Sequence, residues 1–403
     1  VKYFKNTELA KIYNVSEKSV RNWIQAARDG KLDLELYEKN DRFWIANITK
    51  NVAEIEALVK KGKKYKNQRG RKVVTPTPQF YEMYDSKQIL DIISSLAIHH
   101  ETPLQYTYVD GGAQDWDKYA KRLLSEHASN ILNSTISILE ETTLTQHSLL
   151  RNFERINVVD IGPGNGLPIR PTLEKLQREG RLGRYMPIDI SSDMLKILGK
   201  NIQEWFGDSI EYHPVIKDIS RERFKDIIGE DSLDPKTATL VFLMGGTLFN
   251  FRSPEQILHV INDSMGQNDF FIYSGYLDTP QTRRYFDYYT SNKRKVPVQD
   301  GIILDFLNID ESLYDVEQLF DEVGRARTIH IIPKVDIAVK IKLAETTRTL
   351  ELVKGVPILI WRHWHKDTIE TLSLLDKNGF ELMQATKSID QQYLVTVTKL
   401  KTA

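Results

Sequence analysis

The chain has 403 residues, 41% of them hydrophobic and 27% charged, with Lys and Arg balancing Asp and Glu at 55 each. That length supports two or three domains with their own cores, and no apolar run approaches the roughly 18–20 residues of a membrane span. The absence of cysteine excludes disulfides, thiolate metal sites and a cysteine nucleophile, and fits a reducing cytoplasm.

The neutral total hides an asymmetry. Residues 1–74 hold 18 Lys and Arg against 9 Asp and Glu, so a segment of charge +9 precedes a remainder of −9. A basic head on an acidic body is the pattern of a segment that meets a polyanion. Its opening, VKYFKNTELAKIY, is amphipathic without an apolar core, so no secretory leader is expected. NTELAKIYNVSEKSVRNWIQAARDGKL (6–32) reads as two helices. Thr7 can cap the first, with Leu9, Ala10, Ile12 and Tyr13 on one face, and Ser16 can cap the second, which turns Val20, Trp23 and Ile24 inward. Lys18, Ser19, Arg21, Asn22 and Gln25 are left outside, the residue types that contact phosphates and base edges. LDLELYEKNDRFWI then alternates around a turn, as a two-stranded wing does. Over about 45 residues this resembles a winged helix-turn-helix DNA-binding module. A small helical domain for protein contact or dimerisation is the alternative.

A helix is expected at about 49–61, completing a first domain over 1–66. A basic linker spans 67–78. Within it RGRK, with Arg69 and Arg71, resembles the Arg-Gly-Arg core of minor-groove hooks, although the usual proline is missing. A solvated linker is the simpler reading.

From about residue 79 to 403 the texture becomes alternating strands and helices, which describes a doubly wound, mostly parallel α/β sheet. In such sheets the ligand sits beyond the carboxyl ends of the strands. The first clear strand ends in NVVDIGPGNGLPIRP (157–171), a loop rich in glycine. Gly162, Pro163, Gly164, Asn165 and Gly166 miss the dinucleotide spacing, because the third glycine comes one residue early, and no Lys-Ser/Thr follows to make a P-loop. With Asp160 ahead of them they are similar to motif I of class I S-adenosylmethionine (SAM) methyltransferases. The resemblance implies SAM as cofactor, cradled at its amino-acid end by this loop. It also implies ribose binding by Asp189 with Ile190 in YMPIDIS, and adenine contacts from Asp218 and Ile219 in VIKDIS.

YMPIDIS, VIKDIS and LVFLMGGTLFNF, in that order, narrow the resemblance to the histidine-specific Nα-methyltransferases of ergothioneine biosynthesis over about 155–400. It implies that Gly245 lies by the cofactor and that Asn250 binds the amino-acid part of the substrate. It also implies an inserted α+β substrate lobe at about 280–345, where 303–343 reads as strand, helix and two strands. The late Glu-x-Ser-x-Lys-Tyr of that family is not matched: ILIWRHWHKD offers Trp361, His363 and His365 instead. Histidine is therefore not adopted as the substrate. YTYVDGGAQDWDKY (106–119) is a candidate lid, with Tyr108 and Tyr288 joining Trp361 and His363 as candidate pocket lining and Asn250 as positioner. Trp361 and Trp364 on an alternating strand also read as core. No third ligand joins His363 and His365, so no metal is expected.

Three functions remain open. The first is a methyltransferase acting on an amine or amino-acid-like small molecule, with an appended DNA- or partner-binding head. The second is a SAM- or metabolite-sensing regulator, and the third a methyltransferase of RNA, protein or DNA. No D/N/S-P-P-Y/F tetrapeptide and no cysteine is present, which argues against DNA modification. A homodimer would follow from operator symmetry, and no membrane partner is expected.

Overall fold

The structure, a computed structural model, describes residues 3–13, 15–39, 42–109, 111–126, 129–141, 149–229, 234–285, 296 and 298–402. Packing divides the chain into Val1–Val73 with Val335–Ala338, and Val74–Lys334 with Val339–Ala403.

In the first unit two helices, Asn6–Ile12 and Glu17–Arg28, precede a hairpin of Leu36–Lys39 and Arg42–Ala46, against whose second strand Tyr3–Phe4 also pairs. Leu9, Val20, Ile24, Ile45 and Ile55 close its core. The first helix begins two residues earlier than expected. Lys5 occupies the cap, where its backbone N–H donates to Glu8 Oε2 at 2.9 Å, and Thr7 already lies inside the helix. Ser16 caps the second helix by accepting from the Ser19 N–H at 3.1 Å. The helix expected at 49–61 runs from Thr49 to Arg69, because its lysine-rich second half is built of good helix formers even without an apolar stripe. Arg69 is thus a helical residue, and Lys72–Val74 is a strand. Gly70, between these two elements, and Lys72, which opens the strand, are exposed in the RGRK segment.

The second unit is built on an eight-stranded sheet. Its order is Phe380–Lys387, Tyr393–Leu400, Phe270–Tyr276, Thr237–Leu243, Arg155–Ile161, Leu182–Asp189, and then Glu211–Tyr212 and Val215–Ile216. The strands from Phe270–Tyr276 to Val215–Ile216 are parallel, and the two at the other edge are antiparallel. Six of the seven residues of Arg155–Ile161 are buried, as a strand covered on both faces requires. Ile138, Leu173, Leu176, Leu198 and Ile202 pack on one face, and Ile257, Leu258, Ile261 and Leu375 on the other. The chain leaves Arg155–Ile161 toward one edge and returns to Thr237–Leu243 on its other side. The crevice at that reversal is where doubly wound folds bind ligands.

Between Phe270–Tyr276 and the antiparallel edge lies a smaller α+β region. The strand, helix and two strands expected at 303–343 are corrected. Val298–Phe306 is a helix, and strands Tyr314–Asp321, Ala326–Pro333 and Ile337–Leu343 follow it. IILDFL is a short apolar run, which periodicity cannot assign between helix and strand. YDVEQLFD alternates in burial along its length, as a half-covered strand does. Ile358–Trp364 then joins the first two of these strands in a three-stranded antiparallel sheet.

Candidate active site

The loop after Arg155–Ile161 is held tightly. Gly162 donates to the Ile188 carbonyl at 2.9 Å, and Gly166 to Pro163 at 3.0 Å. Gly162, Gly164 and Gly166 have φ of 61°, 57° and 77°, a region open mainly to glycine. At Gly164 a Cβ would run into the Trp116 indole, and at Gly166 into Leu198. Through Gly162 and Gly164 the loop therefore presents bare backbone to a cleft.

That cleft is lined by Gly162, Gly164, Asp189, Ile190, Asp218 and Ile219 from the three strand ends. Tyr108 and Trp116 join them from the segment before the sheet, and Thr247 and Phe251 from the turn after Thr237–Leu243. Pro163, Asn165, Gly166, Gly245 and Asp160 do not line it. Asn165 is fully buried, donates to Asp117 Oδ1 at 2.9 Å and accepts from the Leu167 N–H at 3.2 Å, so it ties the loop to helix Gly111–Ser125. Gly245 donates to Ser274 Oγ at 3.1 Å.

Asp160 is 1% exposed. Tyr185 donates to one of its oxygens at 3.1 Å, and the other has no hydrogen-bond partner. Burial pushes its pKa up to about 7 against that hydrogen bond. Asp189 accepts from the Ser191 N–H at 2.8 Å, and burial raises it to about 6. Asp218 accepts from the N–H of Ser220 at 3.0 Å and from its hydroxyl at 2.5 Å. The Tyr108 phenol is raised by burial and then by the charges of Asp300 and Asp189.

A second, more polar chamber adjoins the cleft, sharing Leu104, Gln105 and Phe251 with it. Asn250 lines this chamber, along with Glu101, Arg221, Arg252 and Gln256. Asn250 Oδ1 lies 2.8 Å from His363 Nδ1 across 113 residues of sequence. Burial, and then its neighbour His365, hold the His363 pKa far below the ordinary value, so the ring is neutral and Nδ1 must be the donor. Trp361 stacks on His363 at 11°, with ring centroids 6.2 Å apart. His365 is lowered to about 4, and among the described residues no group of His, Asp and Glu is arranged to hold a metal ion.

The remaining expected residues lie elsewhere. Tyr288 and the Arg69 side chain lie outside the described residues. Lys18, Arg21 and Asn22 are exposed on helix Glu17–Arg28, whereas Ser19 is half-buried with its hydroxyl 2.9 Å from that of Ser16. Arg71 is half-buried. Trp116, Thr247 and Phe251, which line the cleft, were missed by sequence reasoning.

Residues 88–284 match the model of the histidine-specific, SAM-dependent methyltransferase family. The chain is a SAM-dependent methyltransferase. Similar solved structures include a SAM-dependent methyltransferase from Clostridium acetobutylicum, 9% identical, covering 72% of this chain and 99% of its own, with a TM-score of 0.40. The CcbJ methyltransferase from Streptomyces caelestis is 15% identical over 73% of this chain and 98% of its own, with a TM-score of 0.41. The glycopeptide N-methyltransferase MtfA, complexed with S-adenosylhomocysteine (SAH), is 12% identical over 70% and 98%, with a TM-score of 0.34. No curated protein matches the chain. One feature of this methyltransferase's cleft fits its cofactor: Gly162 and Gly164 line it with backbone that carries no side chain. Among the described residues no helix is long and apolar enough to cross a membrane.

Proposed function

We propose that this methyltransferase N-methylates an amino-acid-like or amine small molecule. The polar chamber beside the cleft, lined in part by Asn250, is the observation that carries the reading. In the cleft itself Gly162 and Gly164 cradle the methionine end of the cofactor, Asp189 accepts from the ribose hydroxyls, and Asp218 with Ile219 borders the adenine. Asp160 supports the loop from beneath. SAM supplies an electrophilic methyl group, and the chain supplies position. Because His363 occupies Asn250 Oδ1, the Asn250 amide is left to donate from Nδ2. That donor suits the carboxylate of an amino acid. Tyr108 lines the cleft, whereas Trp361 and His363 line neither cavity; the neutral histidine holds Asn250 from behind without adding charge.

The test is SAH release by the full chain from SAM with individual amino acids and amines. Asn250→Ala is expected to lower kcat/KM for the acceptor about ten- to a hundredfold, the worth of a hydrogen bond to a charged group, with SAH affinity unchanged. Equal turnover by the variant would remove Asn250 from the acceptor site. Absence of turnover with any small molecule would favour the second reading, a SAM-sensing regulator.

That second reading, like the appended-head version of the first, rests on the first unit acting as a winged helix-turn-helix over 1–66 that contacts DNA. Its support is the charge of +9 over residues 1–74 and the exposed Lys18, Arg21 and Asn22. Lys18→Ala and Arg21→Ala in the full chain are each expected to reduce the slope of log affinity against log salt for duplex DNA by about 0.9. An unchanged slope leaves protein contact or dimerisation as the role of this unit. A cytoplasmic location and pairing into a homodimer on a palindromic site belong to the same proposal.

A further inference from the structure

Arg252 is an arginine that none of these roles uses. It stands between Phe251, which follows the turn Thr247–Asn250, and Ser253, which caps helix Pro254–Ser264. Its half-exposed side chain lines the polar chamber together with Asn250. Phe251, between the two in sequence, borders both the chamber and the SAM cleft.

The charges of the chamber wall are uneven. Asp91 and Glu101 are its acids, and each is held by an arginine other than Arg252. Asp91 pairs with Arg221 and also accepts from the Tyr106 hydroxyl at 3.0 Å. Glu101 pairs through Oε2 with Arg362. Nε of Arg252 lies 3.8 Å from that same oxygen, beyond hydrogen-bond reach, and among the described residues Arg252 has no closer acid.

Backbone contacts hold this arrangement in place. A π-helical turn over Ser95–His99 ends at His100, whose φ is 50°. The His100 carbonyl accepts from the Leu359 N–H at 2.7 Å, and the Thr102 N–H donates to the Leu359 carbonyl at 2.9 Å. Glu101, between them, is thereby stitched to strand Ile358–Trp364. That strand presents Arg362 to Glu101 and holds Asn250 through His363. Three arginines therefore meet two carboxylates, and the one left over offers a planar fork of N–H donors that matches a carboxylate.

We propose that Arg252 binds the carboxylate of the methyl acceptor beside Nδ2 of Asn250 and so selects amino acids over simple amines. One cation in excess is balanced by one carboxylate. An acceptor that was only an amine would bring a further positive charge to this wall, where like charges repel. The inference deepens the amine reading, rests on it, and names the acceptor class within it.

Calorimetric titration of the SAH-saturated full chain tests the assignment. The probes are each of the common amino acids and, for each, the amine that remains when its α-carboxyl group is removed. The best-bound amino acid is expected to bind at least tenfold more tightly than its decarboxylated amine. Arg252→Ala is expected to weaken the amino acid about ten- to a hundredfold, the worth of a hydrogen bond to a charged group. The same variant is expected to leave the amine and SAH unchanged, and Arg252→Lys to restore part of the loss. An amine that binds as well as its amino acid, an amino acid indifferent to Arg252→Ala, or no amino acid binding at all overturns the assignment. So does a variant that loses amino acid and amine alike, since Arg252 is then structural. SAH release from SAM with the same pairs separates the two readings. Amino acids bound through Arg252 but never methylated sink the amine reading and leave the carboxylate site standing. Amines methylated equally with and without Arg252 do the reverse.

Discussion

Replacing Gly164 by alanine is expected to weaken SAH binding well beyond what the same change does at Gly162. The two glycines have nearly equal φ, 57° and 61°, so the backbone cost of placing an L-residue there is the same, roughly 1–2 kcal/mol. They differ in surroundings. Around a Cβ at Gly162 there is open space, whereas a Cβ at Gly164 meets the Trp116 ring. Trp116 lines the cleft, so moving it narrows the space the cofactor needs. Gly162→Ala thus measures conformational strain together with any contact of the new methyl with the ligand, and Gly164→Ala adds displacement of the indole. Calorimetric titration with SAH is expected to show a loss of about tenfold for the first and at least a further tenfold for the second. The Gly164 variant with Trp116→Phe is expected to recover part of the difference. Equal losses at the two positions would mean that Trp116 yields freely and does not shape the cleft.

The ligand-free protein is expected to become less stable as pH rises from the ordinary aspartate range near 4 through 6 and 7. Asp160, Asp189 and Asp300 are raised by burial to about 7, 6 and 7. Each binds its proton more tightly in the folded chain than in the unfolded one. Over that interval the native state holds more protons, so unfolding free energy falls with pH. The contribution is complete below the unfolded value and is lost as pH passes the folded values. Asp278 works in the opposite sense: its hydrogen bond to Arg283 heads the influences that lower it, and its stabilisation is lost only in more acid solution. Thermal unfolding followed against pH checks the sign. Asp160→Asn keeps an acceptor for the Tyr185 hydroxyl and removes the buried charge. It is expected to raise the melting temperature above pH 7, by an amount on the order of 1 kcal/mol or more in stability. The same variant is expected to bind SAH more weakly. A melting temperature that climbs from pH 5 to 8 would show that these acids are solvated or already compensated.

The legible parts of the site were those built from single strands and the loops that follow them. Asp160, the glycines, Asp189 and Asp218 each end a hydrophobic strand, and a parallel sheet brings consecutive strand ends to one edge. Their order along the chain was enough to read them as a group. Asn250 closes the turn after such a strand, and its proposed role came from the family resemblance. What holds it was not legible: its partner His363 lies 113 residues away on another sheet, and no local pattern joins a turn to a strand across an inserted region. The helix Thr49–Arg69 was read eight residues short because its basic second half has helical propensity without an apolar face.

The sequence by itself determined the doubly wound order of the main unit, the strand ends at which a ligand sits and the basic character of the first 74 residues. All of these depend on side-chain period, glycine placement and charge, which neighbours in sequence express directly. Only the tertiary structure decided that Trp116 closes on Gly164, that Asn165 faces helix Gly111–Ser125 rather than the cleft, and that His363 holds Asn250. Those are encounters between segments distant in the chain. Burial, which sets the protonation of the acids and histidines concerned, exists only once the segments have packed.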